Sequence, residues 1–150
     1  MGTPFSTIID RALITIKDYK LDKLFDLAPD DFEARVTSYV VKAVPQFTQC
    51  LKSLAYDSTL QEFTEILDEM EINILADYVG IVWYQGEIQD VLEFKEALQD
   101  KEFKRYSTGQ NLTPRRNYLT DLYVRVSQYV TDYQIANLSS LPYFGGDNNV

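Results

Sequence analysis

The side chains best suited to chemistry in this sequence are carboxylates, concentrated at Glu62, Glu65, Asp68, Glu69 and Glu71 and again at Glu87, Asp90, Glu93 and Glu96. A pair of them could divide the work of acid and base or hold Mg²⁺. Neither group has the spaced ligands of a calcium loop, and helical faces opposite apolar stripes are ordinarily charged, so both read as solvated surface. The chain has no histidine. That excludes Ser-His-Asp and Cys-His nucleophiles, His-bearing zinc sites and imidazole proton shuttles. Gly80, Gly86, Gly109, Gly145 and Gly146 match neither a Walker loop nor a dinucleotide fingerprint. Cys50 is the only cysteine; between Phe47 and Leu54 on an apolar helical face it reads as a packed thiol rather than a nucleophile, and it cannot close an intrachain disulfide. No catalytic, cofactor-binding or metal-binding set emerges, and the chain is expected not to be an enzyme.

Charge and aromatic content point instead to contacts with other macromolecules. Fourteen basic against twenty-three acidic side chains give a net charge of -9, which repels phosphate backbones and argues against gripping nucleic acid by counterion release. Lys101, Lys104 and Arg105, with Arg115 and Arg116 further on, are the basic clusters. Asp100 and Glu102 neutralise the first, so it reads mainly as surface ion pairing, with docking to a partner as the sharper alternative. Eleven tyrosines are many for this length; tyrosine joins a large apolar area to a polar tip and is enriched at interfaces, although any single one serves equally well half-buried in a core.

The elements that must position these residues are helices. Thr3-Pro4 offers a hydroxyl cap and a first-turn proline, and Phe5, Ile8, Ile9, Ala12, Leu13 and Ile16 form one stripe, predicting a short helix that ends near Lys17-Asp18. Residues 19–28 read as a loop pinned by Leu21, Leu24, Phe25 and Leu27. Pro29-Asp30-Asp31 opens a second helix whose apolar face runs from Phe32 to about residue 55, with a kink or break at Pro45. Asp57-Ser58-Thr59 is a turn, and Leu60 to Leu67 fits neither the strand nor the helix period. Asp68 with Glu71 resembles a capping box that starts a third helix. Ile72, Leu75, Ala76, Val79, Val82 and Trp83 line one face of it and Ile74, Tyr78 and Ile81 another, so this helix should be central, with a bend at Gly86. After a polar loop at 107–111, Thr113-Pro114 starts a last helix carrying Leu119, Leu122, Val126, Tyr129 and Tyr133 and ending near Leu138.

These elements predict an all-α bundle of four to five helices over residues 1–138, with an extended C-terminal tail over 139–150. At 150 residues one core is the default, burying about two-thirds of the surface an unfolded chain exposes. No basic stretch precedes the apolar N-terminal residues, and Arg11 interrupts them, so no targeting signal is expected. The apolar run from Tyr78 to Tyr84 falls far short of the roughly 20 residues that span a bilayer. Residence in a cytoplasm is expected. Because the third and fourth helices are apolar on more than one face, a neighbouring subunit is expected against Ile74, Tyr78, Ile81 and Tyr123.

An all-round apolar helix with a tryptophan (Ile72 to Tyr84), then Leu98-Gln99-Asp100-Lys101-Glu102-Phe103-Lys104-Arg105-Tyr106-Ser107, a polar loop and a Tyr-rich final helix resemble the small helical head-to-tail connector proteins of long-tailed bacteriophages. Gly2-Thr3-Pro4-Phe5 before a short helix is similar too. The resemblance covers most of the chain and rests on structural patterns. It implies a virion neck protein, assembled in the host bacterial cytoplasm: an adaptor ring of about twelve copies that joins the portal to the next neck or tail component and needs no cofactor. An acidic lumen would then let DNA slide through without binding. In such adaptors the C-terminal segment often reaches the portal, which marks Leu141, Pro142, Tyr143 and Phe144 as an anchor, unless the terminus is simply frayed. Alternatives are a tail-completion or stopper protein of the same neck, or a small helical regulator with one protein partner.

Overall fold

A computed structural model describes residues 2–16, 24–97 and 112–138, with side chains throughout except at 91–97, 112 and 113. The fold is all-α apart from one two-stranded hairpin. Helix α1 spans Phe5–Leu13, α2 Pro29–Ala43, α3 Glu69–Ala97 and α4 Leu112–Ala136; a 3-10 turn occupies Val44–Gln46, and strands β1 and β2 are Tyr56–Asp57 and Glu62–Phe63. A further helical turn covers 24–27. The tail at 139–150, with its anchor residues Leu141, Pro142, Tyr143 and Phe144, lies outside the described residues, as do the charge run and polar loop within 98–111.

Helix α3 is the central element, packed on α1, α2 and α4. Ile74, Leu75 and Ile81 are wholly buried, and Ile72, Ala76, Val79, Val82 and Trp83 nearly so. Each large aliphatic side chain withdrawn from water in this way contributes roughly 1.5–3 kcal/mol. The start of α3 is the expected capping box: Asp68 Oδ1 accepts from the Glu71 N–H at 2.9 Å and Glu71 Oε2 accepts from the Asp68 N–H at 3.2 Å. Helix α3 runs unbroken through Gly86, which does not interrupt it. A helical glycine costs about 1 kcal/mol relative to alanine, less than the packing of the buried turns before it supplies. Helix α4 returns antiparallel, since Glu87 meets Arg115, Asp77 meets Arg125 and Glu71 meets Tyr133. Its buried stripe is Leu122, Val126, Val130 and Tyr133, with Val130 where Tyr129 was expected.

The first two helices end sooner than their apolar patterns. Helix α1 stops at Leu13, where the Ala12 carbonyl accepts from the N–H groups of Thr15 and Ile16 and from the Thr15 hydroxyl at 2.9–3.1 Å. Helix α2 gives way at Pro45, whose ring nitrogen has no hydrogen to bond back along the helix. Phe47, Cys50 and Leu54 still join the core, but from irregular chain.

Thr3 does not cap α1. The cap position is Pro4, in extended conformation and bridged to Glu62. Thr3 is buried, and its hydroxyl donates to Glu65 O at 3.2 Å and accepts from the Leu67 N–H at 2.8 Å. Its backbone adds bonds to Glu65 and Phe63, and Phe5 N–H donates to Gln61 O. Residues 2–5 thus run as an edge beside the hairpin, into which 60–67 resolves. Behind it Tyr56 meets the rings of Phe5 and Phe63 edge to face at 5.4 and 6.3 Å, and Phe5 and Phe63 pack tilted at 5.0 Å. A Cβ at Gly2 would meet the carbonyl oxygen of Phe63. Gly2→Ala is therefore expected to lower unfolding free energy by roughly 1–3 kcal/mol, read from a urea melt; an unchanged midpoint would mean the edge is not held there.

Candidate interaction surfaces

The described residues carry one buried polar network and two surfaces suited to partners. The network joins the end of α4 to the start of α3 and to the chain at 50–52. Glu71 and Tyr133 are each 1% exposed. Tyr133 donates from its hydroxyl to Glu71 Oε1 at 3.2 Å and accepts from the Leu51 N–H at 2.9 Å. Lys52 Nζ lies 3.4 Å from Glu71 Oε2 and donates to Ile66 O at 2.8 Å. Every polar atom here answers another, which suits fastening better than reaction. Among the described residues no three of Cys, Asp and Glu converge on a metal position.

Burial sets the behaviour of the two acidic hydrogens beside Glu71. It pushes the Tyr133 phenol well above its ordinary value of 10.0, assisted by the charge of Glu71, and it raises the Cys50 thiol above 9.0. Both groups hold their protons more tightly folded than unfolded. Their stabilising effect is therefore complete below the unfolded values and is lost as pH climbs past them. The melting temperature is expected to fall from about pH 9 upward, and Tyr133→Phe should make that fall shallower. A melting temperature flat to about pH 11 would contradict this account of the network.

Two further ion pairs fix the helices. Arg125 reaches Asp77 through two bonds, at 2.7 and 3.3 Å, a fork geometry with more directional hold than a single contact. Arg11 of α1 meets Glu69 at 2.9 Å and Asn73 at 2.6 Å on α3.

The first surface is the outward face of α4. Thr120, Val124, Ser127, Thr131, Ile135 and Leu138 follow at three- and four-residue steps, all exposed and none charged. Val124 is 67% and Ile135 59% exposed. The second is a groove of about 270 Å³ between α1 and α2. Ile9, Phe25, Phe32 and Val36 form its apolar wall and Asp10 and Glu33 its rim. Phe25 stands 56% exposed, its ring 5.2 Å from that of Phe32.

No protein family, curated protein or solved structure matches the chain.

The residues expected at a subunit interface divide. Ile74 and Ile81 are buried within the chain itself and present no surface to a neighbour. Tyr78 is half-buried with its ring 6.3 Å from Phe47. Tyr123 is 40% exposed and accepts a hydrogen bond from Gln85. Both apolar faces of α3 are thus covered from within the chain, by α1, α2, the 3-10 turn and α4 packed around it. Val124 and Ile135 were legible as apolar residues off the α4 stripe. The groove was not, because it brings together Ile9 and Phe32 from separate helices.

Proposed function

We propose that this chain is a structural, non-enzymatic subunit of a phage virion neck, forming an adaptor ring between the portal and the next neck or tail component. The observation that carries the reading is exposed apolar side chains in two separate places on an acidic helical body: Val124 and Ile135 on the outer side of α4, and the groove between α1 and α2. A subunit inside an assembly has several neighbours and needs several such faces. The resemblance described above supports the same reading. So does the surface chemistry, because exposed Asp10, Asp26, Asp30, Asp31, Asp57, Glu65 and Asp121 create a field that repels DNA phosphates rather than holding them. Among the described residues no helix is long and apolar enough to cross a membrane.

The test is addition of purified chain to isolated portal complexes, followed by negative-stain imaging. The proposal expects a second ring stacked on the portal. Portals that stay bare, with the chain left monomeric, would contradict it.

A further inference from the structure

The chain between Phe47 and Phe63 passes over the start of α3 and the end of α4 without a buried residue of its own. Phe47 and Phe63 are sealed in the core at 2% and 0% exposure. No side chain from Thr48 to Glu62 is buried, and Cys50 and Leu54 rest on the core only half-covered. From Phe47 to Ala55 the backbone is neither helix nor strand.

Both ends of this irregular stretch are anchored. The Phe47 ring packs on those of Tyr78 and Tyr133 at 6.3 and 5.6 Å. The Ala55 carbonyl accepts from the N–H and the hydroxyl of Thr64 at 2.9 and 3.2 Å. Between these anchors, among the described residues, one backbone hydrogen bond reaches the rest of the fold, from the Leu51 N–H to the Tyr133 hydroxyl at 2.9 Å. Lys52 adds a side-chain tie, donating to Ile66 O at 2.8 Å and lying 3.4 Å from Glu71 Oε2. The Cys50 N–H turns back to Phe47 O and the Ala55 N–H to the Ser53 hydroxyl, so those bonds shape the stretch without fastening it. The edge at residues 2–5 is held quite differently: Thr3 and Phe5 are buried, and both backbone and hydroxyl of Thr3 bond to residues 63–67.

The two ties of 48–54 meet one pair. Tyr133 and Glu71 are bonded to each other at 3.2 Å and are each 1% exposed, on helices that pack through apolar stripes of their own. Lifting 48–54 leaves those stripes in place and lets water replace the two ties. Local opening is cheap where few apolar contacts are given up. We propose that residues 48–54 form a strap that opens and closes over Glu71 and Tyr133 while the helices stay folded, with the Tyr133 hydroxyl as its catch. The open form shows solvent a carboxylate and a phenol that the closed form hides, and a partner that bonds either of them shifts the balance towards it.

Hydrogen exchange of single amides, followed by NMR on the full chain, tests this. Once intrinsic rates are divided out, the Leu51 amide is expected to exchange at least about a hundredfold faster than those of Leu75 and Val79, buried within α3. Low urea should speed Leu75 and Val79 steeply and leave Leu51 almost unmoved, because opening the strap uncovers little surface. Tyr133→Phe removes the catch and should speed Leu51 roughly two- to tenfold. Lys52→Ala, which removes a partly exposed ammonium, should act in the same direction and less. A Leu51 amide that matches α3 in rate and in urea dependence would overturn the strap, since the stretch would then open only with the whole fold. A Leu51 rate unchanged in both variants would overturn the catch.

Discussion

Glu71→Ala is expected to be among the most damaging single substitutions in the chain. The carboxylate is buried, caps the start of α3, accepts from Tyr133 and faces Lys52. Its removal leaves the Asp68 N–H and the Tyr133 hydroxyl short of a partner and takes the anchor from the chain at 50–52. Two donors left without an acceptor cost about 1–3 kcal/mol each, a fall in melting temperature of roughly 4–24 °C in a domain this long. Lys52→Ala should cost far less, at most about 1 kcal/mol, because the ammonium is partly in water. Similar losses for the two would show that the carboxylate is held by its charge partner and not by the hydrogen bonds around it.

The second large effect separates core from surface. Ile81→Ala removes three carbons from a site with no exposure and is expected to cost about 2–5 kcal/mol. Val124→Ser, on the outward face of α4, should stay within about 0.5 kcal/mol. Denaturant midpoints of the two variants check this directly. A harmless Ile81→Ala would return that residue to the subunit interface where the helical pattern first placed it.

The contrast shows where the sequence was readable. Periodicity located α3 and its centrality, the Asp68–Glu71 box located its start, and Pro45 located the end of α2, because each of these is a local effect of backbone chemistry. Gly86 does not break α3, since a glycine's cost is small beside the packing of a long hairpin. Thr3-Pro4 looked like a cap, but tertiary pairing with residues 61–67 claimed both the hydroxyl and the backbone. The second apolar face of α3 signalled burial without saying by what; the answer was the chain's own elements packed around it, α4 among them. Of the interaction surfaces, Val124 and Ile135 were visible as apolar residues off the α4 stripe. The groove could not be read, because Ile9 and Phe32 are joined only by folding.

The role assigned to the chain is tested most directly by the native mass of the complex it forms with isolated portal. The account predicts a closed ring of about twelve chains added as one unit, with no intermediate stoichiometry dominating. A mass equal to portal alone, or to portal with one or two chains bound at saturation, would contradict it.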